Sequence, residues 1–208
     1  MNILDSFSVL LYLYWVLLLL VTMASLILAV LAFRLGKQPF AIASGGALAA
    51  ALLLAAVPVG TAPAIFGVVI GLAALILAVI GGGPAAVLAL QLATKNSVAP
   101  GSHGGILVGA DAPAPVGDAE TATAAAPPAP VHEVLRGGLT IGVLERLAVA
   151  GAILAGFPEA LAVVVAIKGV GRFTELASSE ARERFIIGTF ASLIWACACA
   201  ILVSLAQS

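Results

Sequence analysis

Residues 7–33 read FSVLLYLYWVLLLLVTMASLILAVLAF, 27 positions without a charge. At ~1.5 Å per residue a helix of this length exceeds a ~30 Å hydrocarbon core, so it tilts or protrudes. The run is too long for a signal-peptide core, and Asp5 stands before it with no Lys or Arg. Tyr12, Tyr14 and Trp15 fall near its start, where an aromatic belt is expected. Arg34, Lys37 and Pro39 close it. The rest of the chain repeats the message. Hydrophobic residues make up 62% and charged residues 9% of the 208, far from the usual ~25% charged of soluble domains. That composition excludes a soluble enzyme and a disordered chain. A net charge of −1 excludes a nucleic-acid binder.

Further apolar runs give the expected spans. The second is Phe40–Val57, closed by the breaker 58–63, PVGTAP. The third is Ala64–Ile80, ended by Gly81-Gly82-Gly83-Pro84. Residues 85–93 are apolar but too short to cross, and read as an interfacial helix or an overrun of the third span. After the linker come Leu139–Gly156, Glu159–Leu176 and Phe185–Leu205, the first two joined by a turn at Phe157-Pro158. Cys197 and Cys199 are two apart, too close to share a helix face, and read as small apolar fillers.

Residues 97–133 differ in kind. They hold six of eleven prolines and four acidic residues, with no Lys, Arg, Phe, Trp or Tyr. This is the composition of a flexible linker. The expected fold is therefore all-α: a polytopic membrane protein of about six transmembrane helices, arranged 3+3 around a disordered Ala/Pro-rich cytoplasmic linker. The expected regions are 1–96, a three-span membrane part; 97–133, the linker; and 134–208, a three-helix membrane module. With six spans, all nine Lys and Arg fall on one side or in the adjoining half-membrane. The positive-inside rule then places the linker in the cytoplasm and both termini outside.

Charge inside the membrane points to the candidate site. Glu145 and Arg146 lie 12 and 11 residues before Phe157, and Lys168 lies 11 after it. In an antiparallel hairpin these three share a depth. Each unpaired charge would cost about 2.5–3.5 kcal/mol at mid-membrane. Two pairings present themselves, Glu145–Lys168 and Glu145–Arg146, with Arg172 snorkelling to the interface. Gly138, Gly142, Glu145, Ala148, Ala152 and Gly156 recur at helical spacing and form a small-residue stripe for helix packing. Gly188 and Ser192 form a similar pair in the last span, and Glu180/Arg184 reads as a surface i,i+4 pair.

Three stretches carry a resemblance: the LER of residues 144–146; Lys168 with Arg172-Phe173; and Ile187-Gly188-Thr189 with Ser192. This pattern resembles the C-terminal LER…AKxxxRF…IGT module of uncharacterised bacterial inner-membrane proteins. The resemblance covers about 70 of the 208 residues. Gly169, Gly171 and Phe157-Pro158 depart from the pattern. The resemblance implies a membrane module in a bacterial inner membrane, with Glu145, Arg146, Lys168, Arg172, Gly188 and Thr189 as its motif residues. It implies no reaction.

His103 and His132 both lie in the linker, and no aspartate lies in a span. HExxH, GxSxG and Walker A motifs are absent from the sequence. No catalytic, cofactor or metal-binding residue is therefore expected. The leading expectation is a non-enzymatic accessory or scaffold protein. Its partners are the lipid bilayer and a partner membrane protein or second copy, recruited through small-residue helix faces. The alternative is a small transporter or channel using the Glu/Arg/Lys cluster. A membrane enzyme holding phosphate or lipid substrates on Arg172 and Lys168 is the remaining class.

Overall fold

The computed structural model describes residues 3–94, 106–108, 132–134, 138–171, 173 and 179–207. Among these, six helices follow in order: α1 (Ile3–Leu35), α2 (Gln38–Ala55), α3 (Ala64–Ala93), α4 (Gly138–Leu154), α5 (Ala160–Gly171) and α6 (Ser179–Gln207). The architecture is all-α, as expected. The other regular structure is one short antiparallel ladder of β1 (Ile106–Val108) and β2 (His132–Val134), with Leu107 opposite Glu133. This pairing brings residues 106–108, inside the linker, against its C-terminal end, where no regular structure was expected. The Pro-rich middle of the linker lies outside the described residues.

Helices dominate because a chain in lipid must satisfy its backbone polar groups internally. Four of them, α1, α2, α3 and α6, are long and apolar enough to cross a membrane. This is an integral, multi-pass membrane protein. The fourth and fifth expected spans are shorter than read. α4 has 17 residues and α5 has 12, or about 25 and 18 Å. α5 is described as Ala160–Gly171, and of the rest of its expected span only Phe173 is among the described residues. A hairpin leaves and returns to the same end of the bundle at any depth. The shortening therefore leaves the direction of α6 relative to α3 unchanged.

The helix turns follow local chemistry. Gly36 adopts φ +64° and donates its N–H to Ala32 O, closing α1 in the left-handed conformation glycine favours. Pro39 follows in the first turn of α2, where its missing N–H costs nothing. Gly156 adopts φ +75° at the end of α4. Its role is to end the helix, not to pack on a neighbour.

α6 packs along α3 at the centre of the bundle, with α1 and α2 on one flank and α4 on the other. The two halves thus form one bundle. α5 has α4 as its main neighbour and buries no residue. The α3–α6 contact is built on small side chains, Ala74, Ala78, Ala196 and Ala200, all buried. Lipid offers no hydrophobic drive for helix pairing, so close van der Waals approach must supply it. Trp15 is buried beside Leu18 in this core, not in an interfacial belt. Tyr14 is half-buried, and its hydroxyl donates to Leu54 O at 2.7 Å, tying α1 to the end of α2. Tyr12 is the exposed member of the three. Ser25 and Ser44 staple α1 to α2: each hydroxyl lies within 2.9 Å of the other residue's carbonyl oxygen. Cys199 is a buried core filler, and Cys197 is half-buried at the edge of the same core.

The Gly81-Gly82-Gly83-Pro84 sequence does not break the third helix, which runs unbroken to Ala93. Residues 85–93 are its overrun. Trp195 donates Nε1–H to Leu77 O at 3.0 Å, and Arg146 donates Nε–H to Val79 O at 2.8 Å. Neither bond replaces the one Pro84 removes, which is to Ile80 O; they dock α6 and α4 on α3 just before the proline. The glycines make the approach possible. A Cβ on Gly81 would lie 2.5 Å from the Trp195 ring, and one on Gly82 would overlap Arg146 Cδ. Gly83 has open space around it but precedes Pro84, where a Cβ disfavours helical backbone.

Gly82→Ala is expected to lower stability in detergent by about 1–3 kcal/mol, the range for overpacking. Arg146 is anchored at its far end and cannot swing aside. Gly46 also sits inside a helix but meets nothing within 4 Å. Gly46→Ala is expected to be neutral or to stabilise by up to about 1 kcal/mol. Equal melting temperatures for the two variants would contradict this packing.

Candidate functional site

α4 presents two faces at the level of its charges. Consecutive residues on a helix are about 100° apart, so Glu145 and Arg146 cannot look the same way. Glu145 turns toward α5, where its carboxylate pairs with Lys168 Nζ. The two side chains are 11% and 17% exposed, so water reaches the pair only at its edge. Lys168 Nζ also stands 5.5 Å from the centre of the Phe185 ring on α6, a favourable cation–π position. Of the two expected pairings, the structure takes Glu145–Lys168.

Arg146 points the other way, into the seam between α3 and α6, and is buried. Besides its bond to Val79 O, it donates Nη1–H to Ser192 Oγ at 3.1 Å. Its guanidinium lies against Gly142, where a Cβ would sit 2.9 Å from Nη1. One side chain thus joins three helices. Gly82, Gly142 and Ser192 are the small residues that make room for it.

The packing face of α4 is Gly142, Arg146, Val149 and Ala150, rotated from the expected stripe. Gly142 is the only stripe member on it. Gly138, Glu145 and Ala152 are half-buried, while Ala148 and Gly156 are exposed. Helical spacing and small size do not by themselves decide which face packs: the wider Arg146 and Val149 fill the seam because α3 and α6 offer glycine, alanine and serine there. On α6 the expected pair does pack: Gly188 approaches Leu90, and Ser192 holds Arg146. Thr189 is buried. Arg172 lies outside the described residues.

A cavity of about 480 Å³ opens beside this seam. It is enclosed by the α1–α2 turn, the last turns of α3, the first turns of α4 and of α6, and Lys168 of α5. Four cationic residues line it: Lys37, Arg146, Lys168 and Arg184. Among the described residues no carboxylate lines it. Lys37 is exposed at the rim, whereas Arg146 and Arg184 are buried. Arg184 is therefore not the surface residue its spacing from Glu180 suggested. Arg184, Gly188 and Ser192 are successive i,i+4 positions, so extending the Gly188/Ser192 pair back by one turn was the signal that could have found it. Lys37 joins the cavity only through tertiary folding. Among the described residues no three His, Cys, Asp or Glu side chains converge as a metal site would need. What the arrangement can do chemically is hold negative charge.

No protein-family model, curated protein or solved structure matches this chain.

Proposed function

We propose that this chain is a non-enzymatic accessory or scaffold protein of a bacterial inner membrane. In this reading both termini lie outside, the basic residues face the cytoplasm, and the protein recruits a partner membrane protein or a second copy. The observation that carries the reading is the use made of the intramembrane charges. Glu145 and Lys168 are spent on each other, and Arg146 clamps α4 to α3 and α6. These groups hold helices together instead of standing ready as acids, bases or nucleophiles. The LER…AKxxxRF…IGT resemblance supports a shared module, since its residues Glu145, Arg146 and Lys168 have this one physical task. Four described cations gathered at one end of the bundle support the orientation.

A small anion transporter is the second reading. The cavity favours it, because an open cationic pocket at one end of a bundle is also what a transporter presents in one of its two states.

Two measurements separate them. Pulldown of the tagged protein in mild detergent is expected to recover a stoichiometric membrane partner or a second copy, and reconstituted vesicles are expected to show no flux. Flux from the protein alone, lost in folded Glu145→Gln or Lys168→Met variants, would establish the transporter. Orientation is checked with single cysteines at Thr61 and Thr121 in a background lacking Cys197 and Cys199. An impermeant thiol reagent on intact cells is expected to label position 61 and spare position 121. The reverse pattern would invert the topology.

A further inference from the structure

α3 changes character at its glycine run. Its buried residues recur at helical spacing from Phe66 to Gly82 and stop there. The eleven residues that follow, 83–93, are all half-buried or exposed. The two side chains anchored on its carbonyls, Trp195 on Leu77 O and Arg146 on Val79 O, also lie before the change. α3 is thus a bolted shaft up to Gly82 and a lightly held arm beyond it.

The joint between shaft and arm is weak by its own chemistry. Pro84 has no N–H to give Ile80 O, and a proline ring crowds the carbonyl four residues before it. Three glycines, the weakest helix formers after proline, precede it. Trp195 fills the slot at Gly81 and Arg146 the slot at Gly82, whereas Gly83 has open space around it. Bending therefore concentrates at Gly83-Pro84. Proline is where sharp helix kinks, above about 20°, most often fall.

The arm also has room to move. Pro84, Val87, Leu88 and Gln91 line the cavity of about 480 Å³, which the α1–α2 turn and the first turns of α4 and α6 also enclose. Leu90 rests against α6 at Gly188, where a Cβ would lie 3.5 Å from it. That contact is apolar and has no directional bond to break. Residues 85–93 make an arm of about 13 Å. A bend of about 20° carries its tip about 5 Å.

We propose that Gly83-Pro84 is a hinge, and that residues 85–93 of α3 swing on it as a movable wall that widens and narrows the cavity. The inference rests on how α3 is held, and it does not depend on whether the protein recruits partners or transports a solute.

The test measures distances between pairs of spin labels by pulsed electron resonance. It uses the full chain in lipid nanodiscs, in a background lacking Cys197 and Cys199. Labels at Leu92, exposed on the arm, and Ile42, exposed on α2, report the swing. Labels at Ile76, exposed on the shaft, and Ile42 are the control. The Leu92 pair is expected to give a distribution about 5 Å broader than the control, or two maxima about 5 Å apart. Gly83→Ala combined with Pro84→Ala restores the missing N–H and removes the freest glycine. It is expected to narrow the Leu92 distribution to the control width. The open space around Gly83 admits the new Cβ. A Leu92 distribution no broader than the control overturns the hinge. Breadth that persists in the folded double variant also overturns it, since fraying of the helix end would then be the cause. If the double variant fails to fold, Pro84→Ala alone takes its place, with partial narrowing expected and unchanged breadth again overturning the hinge.

Discussion

Replacing Arg146 by alanine is expected to remove about 3 kcal/mol of stability, the largest loss from any single polar residue of the bundle. Three terms decide the size. Truncation empties the space between α3, α4 and α6, and large-to-alanine changes in packed sites cost about 2–5 kcal/mol. Two charge-assisted hydrogen bonds go with it, to Val79 O and Ser192 Oγ, each worth about 1.5–3 kcal/mol in water-soluble proteins. In membranes such bonds average nearer 0.6 kcal/mol, because the unfolded inserted chain finds other partners. Removing the burial cost of the cation offsets part of the loss. Arg146→Lys should lose less in packing but cannot span both acceptors, so it should fall between wild type and alanine. Ser192→Ala removes one acceptor and should cost about 1 kcal/mol. Reversible unfolding in mixed detergent micelles would rank the three. An Arg146→Ala variant within about 0.5 kcal/mol of wild type, the usual scatter for surface changes, would mean the clamp carries no weight.

The second large effect is expected at Glu145. Glu145→Ala leaves Lys168 without its carboxylate beside a cavity already rich in cations. Breaking a fully buried ion pair costs about 3–5 kcal/mol. This pair borders the cavity and both side chains keep some exposure, so about 2–3 kcal/mol is expected. Glu145→Lys combined with Lys168→Glu should recover roughly half of that, since the attraction returns but the cation is moved away from the Phe185 ring. A double variant no more stable than Glu145→Lys alone would show that the positions do not interact. The two experiments also separate the adjacent charges of α4. Glu145 acts on α5 and Arg146 on α3 and α6, but the two are chain neighbours of opposite charge that attract each other, so losses at the two positions should fall short of full additivity.

Membrane insertion and helicity were legible from residues 7–33 and the similar runs after them, because a long uncharged segment has few stable alternatives in lipid. The Glu145–Lys168 pair was legible too. Counting from the turn at Phe157 gives depth in an antiparallel hairpin, and depth brought the two charges level. Counting does not give azimuth. That is why Arg146, adjacent to Glu145 in sequence, was grouped with it although it serves a different seam. The same gap misplaced the α4 stripe and left Arg184 on the surface.

The continuation of α3 through Pro84 is the clearest division between local and tertiary information. By local propensity Gly81-Gly82-Gly83-Pro84 ends a helix, and nothing nearby in sequence argues otherwise. The side chains docked on α3 there, Trp195 and Arg146, are 118 and 67 residues away from the carbonyls they reach. Sequence alone determined that this chain enters a membrane as helices, where its charges concentrate and which end gathers the cations, since these depend on composition and order along the chain. Tertiary structure decided which face of each helix is buried, that two glycines, Gly82 and Gly142, serve a clamp, and that Lys37, Arg146, Lys168 and Arg184 line one cavity. Those outcomes depend on how helices far apart in sequence rotate about their axes to interlock, a choice made by the fit of side chains that no local pattern encodes.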